Sequence, residues 1–141
     1  VLRVGLRSSP GQAYDYGHTF HLGNGCPLEM RIEFASTVDA PLDYNPWVKI
    51  LDSRMQEIID LIPFPQKPSF RIAARGKAVL QVHVDAMHLN QGKHSVVVGA
   101  GNPMNKTKNY ARINNCAEFY AASEVHGWAG CIMPCNWSQE I

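Results

Sequence analysis

The sequence predicts an α+β domain. A mostly antiparallel sheet carries one long amphipathic helix over about 46–62 and a second, weaker helix over about 110–126. Three observations carry this expectation. Apolar and polar residues alternate in several short stretches, the period of a half-buried strand. Between 46 and 62 the apolar residues recur at spacings of three and four, the period of a helix face. The chain has 141 residues, 45% of them hydrophobic, which is enough for one core and fits a single domain over 1–141.

Taken in order, Leu2, Val4 and Leu6 alternate with Arg3, Gly5 and Arg7, a strand with one wet face. Ser8 to Gly25 is rich in Gly, Tyr and His and reads as a long loop. Leu28 to Phe34 is the cleanest strand, with every second residue apolar and charges between. Asn45 and Pro46 then open the long helix, Asn as cap and Pro at the first helical position. Trp47, Ile50, Leu51, Met55, Ile58, Ile59 and Ile62 form its apolar stripe, and Pro63 and Pro65 end it.

Phe70 to Ile72 begins another strand, and Arg75-Gly76-Lys77 turns. Ala78, Leu80, Val82, Val84 and Ala86 alternate with polar residues, and Asn90-Gln91-Gly92 turns again into Val96-Val97-Val98. Two adjacent hairpins of three antiparallel strands are the expected result. From Asn109 to His126, Ile113, Cys116, Ala117 and Tyr120 share a weak helical side, and Gly127 is a stop signal.

Charge excludes one class of partner. Thirteen basic residues against twelve acidic ones leave a net charge of +1, without the basic excess of a nucleic-acid-binding surface. No apolar run approaches the ~20 residues of a membrane-spanning helix, so no transmembrane segment is expected. The first residues alternate too regularly for a signal peptide. The start at Val1 reads as a processed product or one subunit of a larger assembly.

Four cysteines allow two disulfides. Asn105-Lys106-Thr107 and Asn136-Trp137-Ser138 are glycosylation sequons. Together they favour a secreted or extracytoplasmic glycoprotein.

The last quarter of the chain gathers Cys116, His126, Cys131 and Cys135. Thiolates and an imidazole in this number suit a tetrahedral zinc site. The competing reading is a disulfide, for example from Cys131 or Cys135 to Cys26. His18 and His21, with one of His83, His88 or His94, are a second candidate set for a catalytic metal. Val96-Val97-Val98-Gly99-Ala100-Gly101 resembles the opening of a nucleotide-binding turn, but Met104 stands where a third glycine is needed. It reads better as a glycine turn closing a strand. Catalytic residues stay unknown, and no cofactor-binding motif stands out.

The function these features favour is a small extracytoplasmic binding or interaction domain, held by disulfides. Its partner would be an apolar small molecule, in a pocket lined by aromatics such as Tyr14, Tyr16, Phe20, Trp47 and Phe64, or a protein. The alternatives are a zinc-dependent enzyme using the histidines and a structural zinc domain built on the C-terminal cluster.

Overall fold

The computed structural model describes residues 1, 3–63, 70–124, 127, 130, 131 and 136–139. Among these residues there are nine strands and no helix, so the α+β expectation gives way to an all-β fold. The strands are β1 (Arg3–Arg7), β2 (Phe20–Leu22), β3 (Leu28–Ala35), β4 (Leu42–Leu51), β5 (Glu57–Leu61), β6 (Phe70–Ile72), β7 (Lys77–Val84), β8 (Gly92–Asn102) and β9 (Asn105–Ala121).

They form two sheets. The smaller has the order β1-β3-β7, and the larger β2-β9-β8-β4-β5, with β6 also on β4. All pairings are antiparallel except β2 with β9, which is parallel. Strand β3 turns Leu28, Met30, Ile32 and Phe34 inward. From the other sheet come Val48 and Ile50 of β4, Val96 and Val98 of β8, and Ala117 and Phe119 of β9. All belong to one buried cluster, so the two inner faces pack as a β-sandwich. Each large aliphatic or aromatic side chain buried this way contributes roughly 1.5–3 kcal/mol relative to exposure.

The helix expected over 46–62 is a hairpin of β4 and β5. Val48, which the helical stripe leaves out, is buried at 2% exposure, and Met55, which it includes, is 63% exposed. Between the strands Asp52 organises a tight turn. Its Oδ1 accepts the backbone N–H of Arg54 at 2.9 Å and of Gln56 at 3.0 Å, and Met55 takes a positive φ of 61°. The β-branched Val48, Ile50, Ile58 and Ile59 favour strand on each side of it. Pro46 lies between the stretch of β4 paired with β6 and the stretch paired with β5. One side of β4 is open there, so a missing N–H is tolerated.

The second helix, expected over 110–126, is corrected: the chain is the long strand β9 as far as Ala121, and 125 and 126 lie outside the described residues. Its apparent helical side mixed two faces, because a bulge interrupts the alternation. Strand β8 advances two residues from Val96 to Val98 while β9 runs from Ala117 back to Ile113, with Asn115 at a φ of 55°. The two adjacent hairpins are also overturned. Strand β7 pairs with β3, β6 with β4, and β8 with β4 and β9.

Candidate binding face on the larger sheet

Alternation along β4 and β8 sends Val48, Ile50, Val96 and Val98 inward, and so places Trp47, Lys49, Ser95, Val97 and Gly99 on the outer face. Register sets Trp47 opposite Gly99, Lys49 opposite Val97, and Gly99 opposite Arg112 of β9. A Cβ at Gly99 would collide with Cζ2 and Cε2 of Trp47, so the indole lies directly on the glycine backbone. The Trp47 Nε1–H donates to Asn109 Oδ1 at 3.2 Å, and the Arg112 guanidinium lies 5.5 Å from the ring centroid.

A charge network surrounds this ring. Lys49 Nζ meets Glu57 at 2.6 Å and Asp60 at 3.3 Å, and Arg112 meets Glu57 at 3.5 Å. Two cations and two anions leave the patch close to neutral. The Lys49 hydrogen bond holds the Glu57 carboxyl below its ordinary value, and Glu57 in turn raises Lys49. Val97 points to this outer face yet is only 1% exposed. Two residues along β8, Ser95 is 9% exposed, and its Oγ has no hydrogen-bond partner. A buried hydroxyl without a partner is uncommon in folded proteins, and this one is closed to the surface.

The face continues towards β2. Lys93 meets Glu118 at 2.9 Å, and His18 Nδ1 lies 3.8 Å from the same carboxylate. Gln91 Nε2 donates to the Tyr120 hydroxyl at 3.1 Å, and the His21 ring is 5.7 Å from the Tyr120 ring.

The expected metal sets are dispersed. His18 and His21 reach this face, but His83 lies on the smaller sheet between Glu29 and Asp85, at 3.3 and 2.9 Å. His94 is in the core, stacked on Phe119 at 5.4 Å, and His88 packs against Gly25. Cys116 is in the β9 bulge, and Cys131 forms an isolated bridge with Leu89 in another part of the fold. His126 and Cys135 lie outside the described residues. Among the described residues no group of three or more His, Cys, Asp or Glu is placed to hold a metal.

The disulfide expectation is corrected as well. Among the described residues, Cys26, Cys116 and Cys131 carry free thiols. Burial raises the thiols of Cys116 and Cys131, so both favour the inert protonated form. Cys116 donates weakly to the Ile113 carbonyl at 3.1 Å, a structural role inside the bulge.

The nucleotide-like run is the middle of β8, with no helix after it among the described residues. Of the aromatics expected to line an apolar pocket, Trp47 borders a groove of about 660 Å³ between β7 and β4–β5, together with Leu61, Phe70, Leu80 and Val82. Tyr14 and Tyr16 lie on the smaller sheet beside Arg7 and Arg3. Phe64 lies outside the described residues. The sequence reading missed Asn109 and Arg112 as site residues. The available signal was a glycine inside a valine-rich strand, which marks a close approach by another group.

No family model matches the chain, and no curated protein matches it. Solved structures do. The fold is similar to that of the C-terminal domain of Wzt, with a TM-score of 0.76 and 11% identity over 97% of this chain and 81% of that one. It is also similar to part of the alkylpurine DNA glycosylase AlkC of Pseudomonas fluorescens, solved bound to DNA containing an abasic site analogue. There the TM-score is 0.52 and the identity 13%, over 86% of this chain and 31% of that chain. At these identities the likeness is one of fold alone. Among the described residues no helix is long and apolar enough to cross a membrane.

Proposed function

We propose that this chain is a non-catalytic β-sandwich binding module. Its ligand is a neutral, hydroxyl-rich molecule of the glycan class, received on the outer face of the larger sheet around Trp47. The observation that carries this reading is the fixed indole. Trp47 lies on Gly99 with its N–H tied to Asn109, so the ring is positioned before any ligand arrives. An aromatic face offers apolar contact to the C–H side of a sugar, while planar polar groups beside it orient hydroxyls. Asn109, Arg112, Glu57 and Asp60 supply such groups.

The charges favour this ligand over a nucleic acid. Lys49 and Arg112 beside Trp47 are each compensated by a carboxylate, so the immediate surroundings of the ring offer little surplus positive charge to a phosphate. The module reading also fits the neighbours. One is named as a domain at the C-terminus of its protein, and the other is matched over only 31% of its length. An extracytoplasmic placement now rests on the sequons without the support of paired cysteines, and the binding reading does not depend on it.

The groove beside β7 favours a second reading, an apolar ligand held by Leu61, Phe70, Leu80 and Val82. One experiment separates the two. Affinity electrophoresis through gels containing neutral polysaccharides is run on the chain and on Trp47→Ala and Leu80→Ser variants. Retardation abolished by Trp47→Ala and kept by Leu80→Ser supports the glycan reading. No retardation by any polysaccharide, with an apolar fluorescent probe displaced only from the chain with Leu80 intact, supports the groove.

A further inference from the structure

Strand β7 ends the smaller sheet. One side pairs with β3 over eight residues with no register shift. Among the described residues no strand pairs its other side. Such an edge offers a row of N–H and C=O groups to a further strand. The other edges are guarded or short. Leu6 of β1 exchanges backbone hydrogen bonds with Asp15, and Arg3 and Arg7 carry the Tyr16 and Tyr14 rings. Strand β2 has three residues, and β5 has five with a register shift against β4. Strand β7 has neither a proline nor a bulge.

The edge is complementary to itself. In an antiparallel pair, residues directly opposite share a face. A two-fold axis through Gln81 sets Leu80 opposite Val82 and Ala78 opposite Val84 on the inner face. On the outer face it sets Val79 opposite His83 and Lys77 opposite Asp85. The last pair occurs twice, once at each end, and joins opposite charges. Asp85 lies one residue past the end of β7 and contacts His83 at 2.9 Å, but its side chain is still 97% exposed, and Lys77 is exposed too. Moving the axis by one residue, to Leu80, would set Lys77 against His83 instead. The groove beside Leu80, Val82 and Val84 gives the added strand an apolar floor, and Ile62 at its rim is 59% exposed.

We propose that β7 is the edge through which two copies of this chain associate, antiparallel about Gln81. Two three-stranded sheets then join into one of six strands. The partner is a second copy because the Lys77–Asp85 pairing is reciprocal, as an isologous interface requires.

Analytical ultracentrifugation of the whole 15.7 kDa chain over a concentration series tests this. Wild type, Lys77→Asp, Asp85→Lys and an equimolar mixture of the two variants are compared, with circular dichroism confirming that each is folded. Both charges stand on the surface, so neither reversal disturbs the core. Each reversal places like charges opposite each other at both ends, so each variant alone should weaken association by about tenfold or more. In the mixture the aspartate introduced in one copy meets the lysine introduced in the other. At the opposite end the native Asp85 of the first copy meets the native Lys77 of the second, so dimerisation should return. A wild type that stays monomeric at every concentration overturns the proposal. So does a dimer that neither reversal weakens, or one that the mixture fails to restore.

Discussion

At the scale of single residues, Gly99 and His94 make measurable claims. Gly99 leaves room for the Trp47 ring, so a Gly99→Ala substitution forces a collision on the outer face. The expected cost is about 1–3 kcal/mol, read as a lower denaturant midpoint. Ligand binding should fall with it, because the ring must leave its seat. His94 makes a claim about pH. Burial in the core lowers its pKa below the ordinary 6.5, against the opposing pull of the Gly92 carbonyl, which lies 2.9 Å from Nδ1. The unfolded chain then takes up the proton first as pH falls. His94 therefore imposes no penalty above 6.5, and stability is lost as pH drops from there towards the lower folded value. Thermal melts from about pH 7.5 down to 5.5 should show this decline. A His94→Phe variant, which keeps an aromatic ring against Phe119, should flatten it.

At the scale of elements, the β4–β5 hairpin depends on Asp52. Burial disfavours its charge, but the N–H groups of Gln56 and Arg54 and the Arg54 guanidinium hold the carboxyl below its ordinary value. Replacing Asp52 with Ala removes these bonds from a site only 7% exposed. The expected loss is about 1–3 kcal/mol by chemical denaturation. The same hairpin shows where the sequence was legible. Strands such as β3 stood out because one face is buried and one is wetted, so the period of two is clean. In 46–62 the apolar residues of two strands and the exposed Met55 of their turn fell by coincidence on helical spacing. In β9 the bulge shifted the period midway. Pairing was less legible still, because β7 finds β3 across more than forty residues of chain and no local turn announces it.

At the scale of the molecule, the candidate site comes from three strands that the register brings together. Trp47, Gly99, Asn109 and Arg112 span more than sixty positions, and no motif spacing links them. The sequence-based candidates drew attention through reactivity, as cysteines and histidines do. The sandwich disperses the described ones among core, bulge and separate faces. Thiol chemistry should reflect that placement. In the native state Cys116 and Cys131 should react with a thiol reagent at neutral pH more slowly than a free model thiol, since burial keeps them protonated. A rate equal to that of the free thiol for both would contradict their burial.

The central claim is that ligand is received at the outer face of the larger sheet. The most direct measurement is amide and indole NMR of the isotope-labelled chain, titrated with neutral oligosaccharides. The expected result is a set of shifts centred on the Trp47 indole N–H, Asn109 and Arg112, lost in the Trp47→Ala variant. Shifts centred on Leu80 and Val82 in the groove, or none with any oligosaccharide, would contradict it.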